Sequence, residues 1–439
     1  GEDHERHGLP WSKKPSLECE VSMNFRKRLD DSTPYLLILP VVIFLFVFAI
    51  LPIAQSLRFA FYDYQLNDQR KNDLYSNPSY NLRLHDETIK YLHFYLDSES
   101  VSVEKEETTQ AIAALKKRLT SYDEEVKQLV PSPQMQPVVE VSEEVLEKIE
   151  AGKQDLIKEL NQLYTIEDAF TLEEDIHAVA GGFDESVVQP NFTPTENFEE
   201  MMRDRRVRST MRFTLIFTFI SVFLELILGI ALAMIMNQAI KGRGLIRTTS
   251  LIPWAIPTSV AAMMWGYLYD GSAGIVAHLF SSIGLLSKPT DLLLKSGSTL
   301  WAIVAADVWK TTPYMALLLL AGLQTIPDTL YESSSLDGAN KWEQFRHITL
   351  PLLKPSIFVA LLFRTLDAFR VFDLIYVLTG GGPGGSTESI SIYAYKIMFG
   401  QTRFGYGSAI VLTMAIVVGI ITFVYIKSLN VKLMGGDGS

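Results

Sequence analysis

The chain has 439 residues, 48% hydrophobic and 20% charged, with 39 Lys and Arg against 50 Asp and Glu and a formal net charge of −11; its mean hydropathy is +0.16. So acidic a balance speaks against a nucleic-acid partner, whose phosphates call for a basic surface, and the single cysteine, Cys19, excludes a disulfide framework or a Cys-rich metal site. These averages fit neither a soluble protein nor a bare bundle of membrane helices, which implies that polar and apolar residues are segregated along the chain.

Residues 1–22 have no periodicity and read as a disordered leader, with Met23 a candidate natural start. Residues 34–57 (PYLLILPVVIFLFVFAILPIAQSL) carry no charge and are long enough to cross a hydrocarbon core of about 30 Å as a helix. Arg26, Lys27 and Arg28 precede this stretch and no small-residue cleavage site follows it, so it reads as a retained first span with a cytoplasmic N-terminus.

A long polar insert follows. Residues 63–206 hold 31 acidic and 15 basic residues, a balance of −16, which leaves +5 for the rest of the chain. Coming after an outward-going span, the insert is expected outside the cytoplasm, since long domains cross regardless of charge. Within it Ile112, Leu115, Leu119, Tyr122, Val126 and Leu129 form a heptad seam. A second helical pattern, Leu146, Ile149, Leu156, Leu160 and Leu163, follows the breaker PSPQMQP at 131–137. The two patterns predict an antiparallel helical hairpin with no aromatic cluster in its seam. It reads either as a docking arm for a soluble partner or as a solvated spacer.

Five further apolar segments occupy residues 210–236, 251–269, 299–323, 356–378 and 407–426. Pro253 and Pro257 mark the third as a place for an interrupted helix or a re-entrant turn. Six spans put both termini in the cytoplasm, and the short cytoplasmic connections then carry Lys241, Arg243 and Arg247, then Lys341, Arg346 and Lys354, in keeping with the positive-inside rule. The expected fold class is therefore all-α, a polytopic membrane protein of six transmembrane helices with a large helical extracytoplasmic insert between spans 1 and 2.

The connection between the fourth and fifth spans, IPDTLYESSSLDGANKWEQFRHITLPLLKPS at 326–356, is rich in apolar residues for a polar loop: Leu330, Leu336, Trp342, Phe345 and Ile348. Asp337-Gly338 is a turn signal between two short helices, and Pro351 and Pro355 close the second amphipathic stretch. A helix-turn-helix of this kind offers a rigid knob to another protein.

Glu332-Ser333-Ser334, then Gly338, then after nine residues Ile348, Leu350 and Pro351 resemble the EAA loop of bacterial ABC importer membrane subunits, with both alanines replaced by serine. The strings NFTPTENFEEMMRD, LGIALAMIMN, KGRGLIRTTSLIPWAIP and LTGGGPGGSTE resemble the carbohydrate-uptake branch of that family, near the first permease subunit of maltose, trehalose and glycerol-3-phosphate importers. The resemblance implies a type I importer permease fold, with a cytoplasmic segment at 1–33, a first transmembrane helix at 34–62, the insert at 63–206, a permease core at 207–430 and a cytoplasmic tail at 431–439. It further implies that Glu332, Ser333, Ser334, Asp337 and Gly338 couple the chain to a dimeric ABC ATPase that holds ATP and Mg. The other implied partners are a second permease subunit and an extracytoplasmic sugar-binding protein, at the inner membrane of a bacterium. No cofactor is expected on this chain, because the glycine-rich GGGPGG at 380–385 lacks the Lys-Ser/Thr of a P-loop and reads as a tight turn.

A charge at mid-bilayer costs about 2.5–3.5 kcal/mol, so ionisable residues in spans face the interior. Arg364, Asp367, Arg370 and Asp373 recur every third residue in the fifth span and read as an ion-pair ladder, either packing or lining a wet cavity. The resemblance implies a substrate lining of Arg364, Asp367, Ala368 and Val371, joined by Lys310, Thr311 and Tyr314 from ADVWKTTPYM and by Trp254 from LIPWAIP. An aromatic platform with hydrogen-bonding groups suits a pyranose. Asp307 and Lys310 read as bridges between spans, Glu225 as a buried partner for one of the arginines, and Trp265, Trp301 and Tyr269 as belt residues. Two other readings stay open: a glycerol-3-phosphate permease, which Arg364 and Lys310 would suit, and an ion-coupled secondary carrier, which would show internal repeats and no coupling loop. Scattered histidines and the lack of H-E-x-x-H or G-x-S-x-G strings weigh against an enzyme.

Overall fold

The structure, a computed structural model, describes residues 37–103, 105–131, 137–166, 170–238 and 241–429. Expectations for the leader, for Cys19, for residues 132–136 of the proline-rich breaker and for the tail 431–439 lie outside the described residues. The chain divides into two units, residues 1–58 and residues 59–439. The described part of the first, residues 37–58, belongs to one helix, α1 (Leu37–Phe59), which is apolar up to its last turns and long enough to cross a membrane.

In the second unit the insert begins with β1 (Ser79–Asn81), the central strand of a small antiparallel sheet in which Tyr80 pairs with Val139 of β2 (Val138–Glu140) and Val187 of β3 (Val187–Val188). The all-α expectation is corrected to that extent. Both helices of the expected hairpin are present and pack together, and a third long helix that was not expected joins them: α2 (Leu82–Ser102) beside α3 (Glu106–Leu129) and α4 (Glu143–Leu163). α2 starts where the Asn81 side chain accepts a hydrogen bond from the Leu84 amide at 3.1 Å. It buries His85, Ile89, Leu92, Leu96 and Glu99, a stripe too polar to stand out in the sequence. The heptad seam of α3 is buried except for half-exposed Leu129, and Ile149, Leu156, Leu160 and Leu163 of α4 close the same core. That core does hold an aromatic cluster: Tyr80, His85, Tyr122 and Phe183 lie with ring centroids 5.4–5.7 Å apart.

The membrane part contains α5 (Arg205–Asn237), α6 (Arg243–Ala255), α7 (Thr258–Leu268), α8 (Ser296–Leu323), α9 (Asp328–Leu336), α10 (Lys341–Phe369), α11 (Asp373–Thr379) and α12 (Phe404–Leu429). Among the described residues five helices are long and apolar enough to span a bilayer, or six if α6 and α7 count as one broken span, bent by 89°. The break falls at Ile256-Pro257, where proline supplies no amide. The expected fifth span is corrected as well: α10 ends at Phe369, and α11 is a separate short helix packed on α7. Tyr269 and Trp265 belong to the core rather than a belt, since Tyr269 is buried and donates to the Ala302 carbonyl at 3.0 Å, while Trp265 sits against Tyr269 and Trp309; Trp301 is exposed. The glycine-rich 380–385 segment is a turn in which Gly380, Gly381, Gly384 and Gly385 take the left-handed backbone.

The insert is tied to the membrane part by polar contacts. The Asn197 amide donates to the Ala60 and Tyr62 carbonyls, Arg403 forks onto Glu200 at 2.6–2.8 Å, and Arg206 forks onto buried Glu388 at 2.8–2.9 Å.

Candidate functional site

A polar cavity of 330 Å³ opens beside the break between α6 and α7, with walls from α8, the end of α10 and the segment leading into α11. Its construction follows from two unsatisfied chemistries. The first is backbone. Breaking the helix at Pro257 leaves carbonyls without their usual amide donors, and the Lys310 ammonium on α8 takes their place, donating to the Ile256 carbonyl at 2.7 Å and the Trp254 carbonyl at 3.3 Å. Trp254, on the α6 side of the break, stacks nearly parallel on Tyr314 of α8, with centroids 5.6 Å apart and planes at 11°.

The second is charge. Arg364 of α10 is fully buried, yet its guanidinium is saturated by carboxylates from three helices. Nε and Nη2 fork onto Glu225 of α5, Nη2 also donates to Asp307 of α8, and Nη1 donates to Asp367 at 3.0 Å. The Ser221 hydroxyl, with one proton to give, lies within reach of both Glu225 (2.9 Å) and Asp307, and Thr311 reaches Glu225 at 2.7 Å. Glu225 is thus the arginine's buried partner, and Asp307 bridges helices instead of pairing with Lys310.

The regular ladder is corrected: only Arg364 and Asp367 pair along the helix, because α10 stops before Arg370 and Asp373 begins α11. Arg370 is exposed and donates its Nε–H to the Leu366 carbonyl at 3.2 Å.

Of the residues singled out in the sequence, Trp254, Lys310, Thr311, Arg364, Asp367 and Val371 line the cavity. Tyr314 stands behind Trp254, and Ala368 is buried in the apolar core with Ile392, off the lining. Thr258, Phe372 and Leu374 also line it and were missed. Thr258 had a signal, the Pro257 break beside it; the other two follow only from the end of α10.

A second assembly lies at the far end of α8. α9 ends in a turn at Asp337-Gly338, with Gly338 at φ +83°, and Asn340 caps the next helix in a reciprocal box with Glu343. Gln344 braces the pair, its amide within reach of the Tyr331 carbonyl (3.2 Å) and the Ser334 and Ser335 hydroxyls (3.0 and 2.9 Å), while the Tyr331 and Thr349 hydroxyls meet at 3.0 Å. Glu332, Ser333, Asp337 and Gly338 are exposed and Ser334 is half-buried, so all five lie on one projecting helix and turn. Leu336 is 90% exposed and Trp342 68% exposed, apolar surface offered outward from a braced frame.

These features define a helical membrane protein with a polar cavity among its spans and a braced knob at one end. The model of the binding-protein-dependent transport system inner membrane component family matches residues 225–433. A trehalose/maltose transport system permease protein of Thermococcus litoralis is 51% identical over 199 residues, 45% of this chain and 66% of the relative's length. A probable ABC transporter permease protein of Brucella suis biovar 1 is 34% identical over 198 residues, 45% of this chain and 68% of that one. The crystal structure of a bacterial ABC transporter involved in the import of the acidic polysaccharide alginate matches with a TM-score of 0.50 at 23% identity, covering 65% of this chain and 98% of that one, which establishes the likeness of fold. The chain belongs to the family of binding-protein-dependent transport system inner membrane components.

Proposed function

We propose that the chain is the membrane-spanning permease subunit of an ATP-driven ABC importer, and that the ligand it passes is a neutral sugar of disaccharide or oligosaccharide type, such as maltose or trehalose. The observation that carries this reading is the charge arrangement of the cavity. Arg364 is consumed by Glu225, Asp307 and Asp367, and Lys310 by two carbonyls, whereas Arg370 is exposed on the wall with a single bond to the Leu366 carbonyl and no carboxylate partner among the described residues. A phosphate that recruited Arg364 would have to strip it from its buried carboxylates, at a cost of about 3–5 kcal/mol, and one that turned to Arg370 would meet the Asp367 and Asp373 carboxylates on the same wall. A pyranose asks less: an apolar face to stack, offered by Trp254 over Tyr314, and mixed donors and acceptors at the rim, offered by Asp367, Arg370 and Asp373. The 330 Å³ volume falls at the lower end of the roughly 300–1,000 Å³ typical of small-molecule sites. The kinship with a trehalose/maltose permease supports the same ligand class.

On this reading Glu332, Ser333, Ser334, Asp337 and Gly338 seat on a cytoplasmic ATPase dimer that holds ATP and Mg. Closure of that dimer pushes α9, and the braced joint passes the push into α8 and α10, whose upper parts form the cavity. A second permease subunit completes the pathway. The basic short connections support a topology with the knob and both termini in the cytoplasm and the acidic insert outside, where on this reading a soluble sugar-binding protein delivers ligand.

The test is reconstitution with the companion permease, ATPase and binding protein in proteoliposomes, following radiolabelled trehalose, maltose and glycerol-3-phosphate. ATP-dependent sugar uptake, cut about tenfold or more by Tyr314→Ala through loss of the stacked platform, is expected. Uptake of glycerol-3-phosphate alone, or uptake driven by an ion gradient without ATP, would sink the proposal.

A further inference from the structure

A second cavity, apolar and larger at 610 Å³, lies between the first turns of α5 and α12 and shares no lining residue with the polar site. Its wall includes Met211, Leu215, Ile216 and Ile410, with Met201 and Met202 from the segment before α5 closing its other end, and Arg208 and Arg212 stand on its rim. The two arginines sit one helical turn apart, about 6 Å along the axis, and both are exposed.

Every carboxylate nearby is already taken. Glu388 holds Arg206 and Lys396, Glu200 holds Arg403, Glu199 holds Arg203, and Asp204 accepts from the Tyr393 and Tyr406 hydroxyls at 2.5 and 2.8 Å. Among the described residues Arg208 and Arg212 have no carboxylate partner. They also stand at the end of α5 next to the acidic insert, away from the basic short connections, where the positive-inside bias gives no reason for unpaired arginines. The 33-residue α5 is about 50 Å long, well over a hydrocarbon core of roughly 30 Å. Its apolar run begins immediately after Arg212, which puts the arginines at headgroup depth and Leu215, Ile216 and Ile410 at acyl depth.

We propose that this groove binds one anionic phospholipid, its phosphate and glycerol headgroup held by Arg208 and Arg212 beside Met211 and one acyl chain laid along Leu215, Ile216 and Ile410. The order of charges over apolar surface is that of the lipid itself, and a zwitterionic headgroup, carrying its own cation, satisfies the two arginines less well. The inference needs only that α5 and α12 span the membrane, and it stands whatever ligand the polar cavity carries.

The test is native mass spectrometry of the full chain, purified in detergent and incubated with phosphatidylglycerol or phosphatidylcholine of identical acyl chains. One retained phosphatidylglycerol, preferred over phosphatidylcholine, is expected. Arg208→Gln with Arg212→Gln should cut its retention about tenfold or more while leaving phosphatidylcholine unchanged, and Met211→Trp, which fills the groove but keeps both arginines, should cut retention of both lipids. Variants are compared at the elution volume of the parent chain. Equal retention of the two lipids, or of phosphatidylglycerol by parent and double variant, overturns the proposal. So does retention by the isolated chain that vanishes in the assembled transporter, for then a neighbouring subunit occupies the groove.

Discussion

Arg364 is the position whose removal the structure says most about. Its side chain is 2% exposed, and three of its four hydrogen bonds run to Glu225 and Asp307, which are 0% and 8% exposed. Charge-assisted bonds of this kind are worth about 1.5–3 kcal/mol each, but the sum overstates the loss, because a stranded carboxylate can take up a proton. Breaking a buried ion pair by deleting one partner costs about 3–5 kcal/mol. Arg364→Met, of similar length and apolar, should therefore destabilise the chain by about 4 kcal/mol. At roughly 2 °C per kcal/mol for a unit of this size, that lowers the melting temperature by about 8 °C. The assay is thermal unfolding in detergent followed by size exclusion. The decisive comparison is the triple variant Arg364→Met, Glu225→Gln, Asp307→Asn, which removes the stranded charges and should recover most of the loss. A single variant melting within about 2 °C of the parent, or a triple variant no more stable than the single one, would refute the ion-cluster account.

Two further outcomes are expected. Gly338 takes φ +83° between α9 and α10, so Gly338→Pro, which fixes φ near −65°, should disrupt the turn and abolish sugar-stimulated ATP hydrolysis in the reconstituted transporter; unchanged stimulation would remove the coupling role of the knob. In the insert, burial holds His85 below the ordinary histidine value of 6.5, outweighing the opposing pull of Asp123 at 3.3 Å and of Asp86. The folded state therefore prefers the neutral ring, so the insert keeps its full stability above about pH 6.5 and loses it as the pH falls through that value, where the unfolded chain takes up the proton first. The protection factor of α2 in hydrogen exchange, which is normalised to the slower intrinsic exchange in acid, should fall between pH 7 and about pH 5.5, and His85→Phe should flatten that dependence; a protection factor that rises on acidification would contradict the assignment.

What could be read from the sequence was what depends on local period. The uncharged runs, the seam of α3 and the Asp337-Gly338 turn each repeat or interrupt a pattern within a few residues. What could not be read depended on partners far along the chain. The spacing of Arg364, Asp367, Arg370 and Asp373 looked like a ladder, yet residues three apart on a helix drift by about 60° per step, so the first and last would point to opposite faces. The chain resolves this by ending α10 at Phe369 and sending Arg364 to carboxylates 139 and 57 residues away. α2 was hidden for a related reason. Its buried stripe includes His85 and Glu99, whose Nδ1 and Oε1 meet the Tyr80 hydroxyl at 2.9 Å and the Thr171 amide at 2.8 Å, neither visible to a hydropathy pattern.

The two anchors on α8 differ in strength, and the difference indicates where motion can concentrate. Asp307 joins α8 to α5 and α10 through a buried charge cluster, whereas Lys310, one turn along, joins α8 to the α6–α7 break only through hydrogen bonds to two neutral carbonyls. Separating the first strands buried charges. Separating the second frees a lysine and two carbonyls that water in the cavity can satisfy. On the proposed coupling, a push entering through α9 would move α5, α8 and α10 as one body, and the yielding joint would be the break, where backbone already lacks its helical bonds. The cavity lies between the two. On that same reading the Arg364 and Asp367 wall would stay with the rigid body while the Trp254 and Thr258 wall would shift with the break, so groups on opposite sides of a ligand would come together or part without any change in the charge cluster itself.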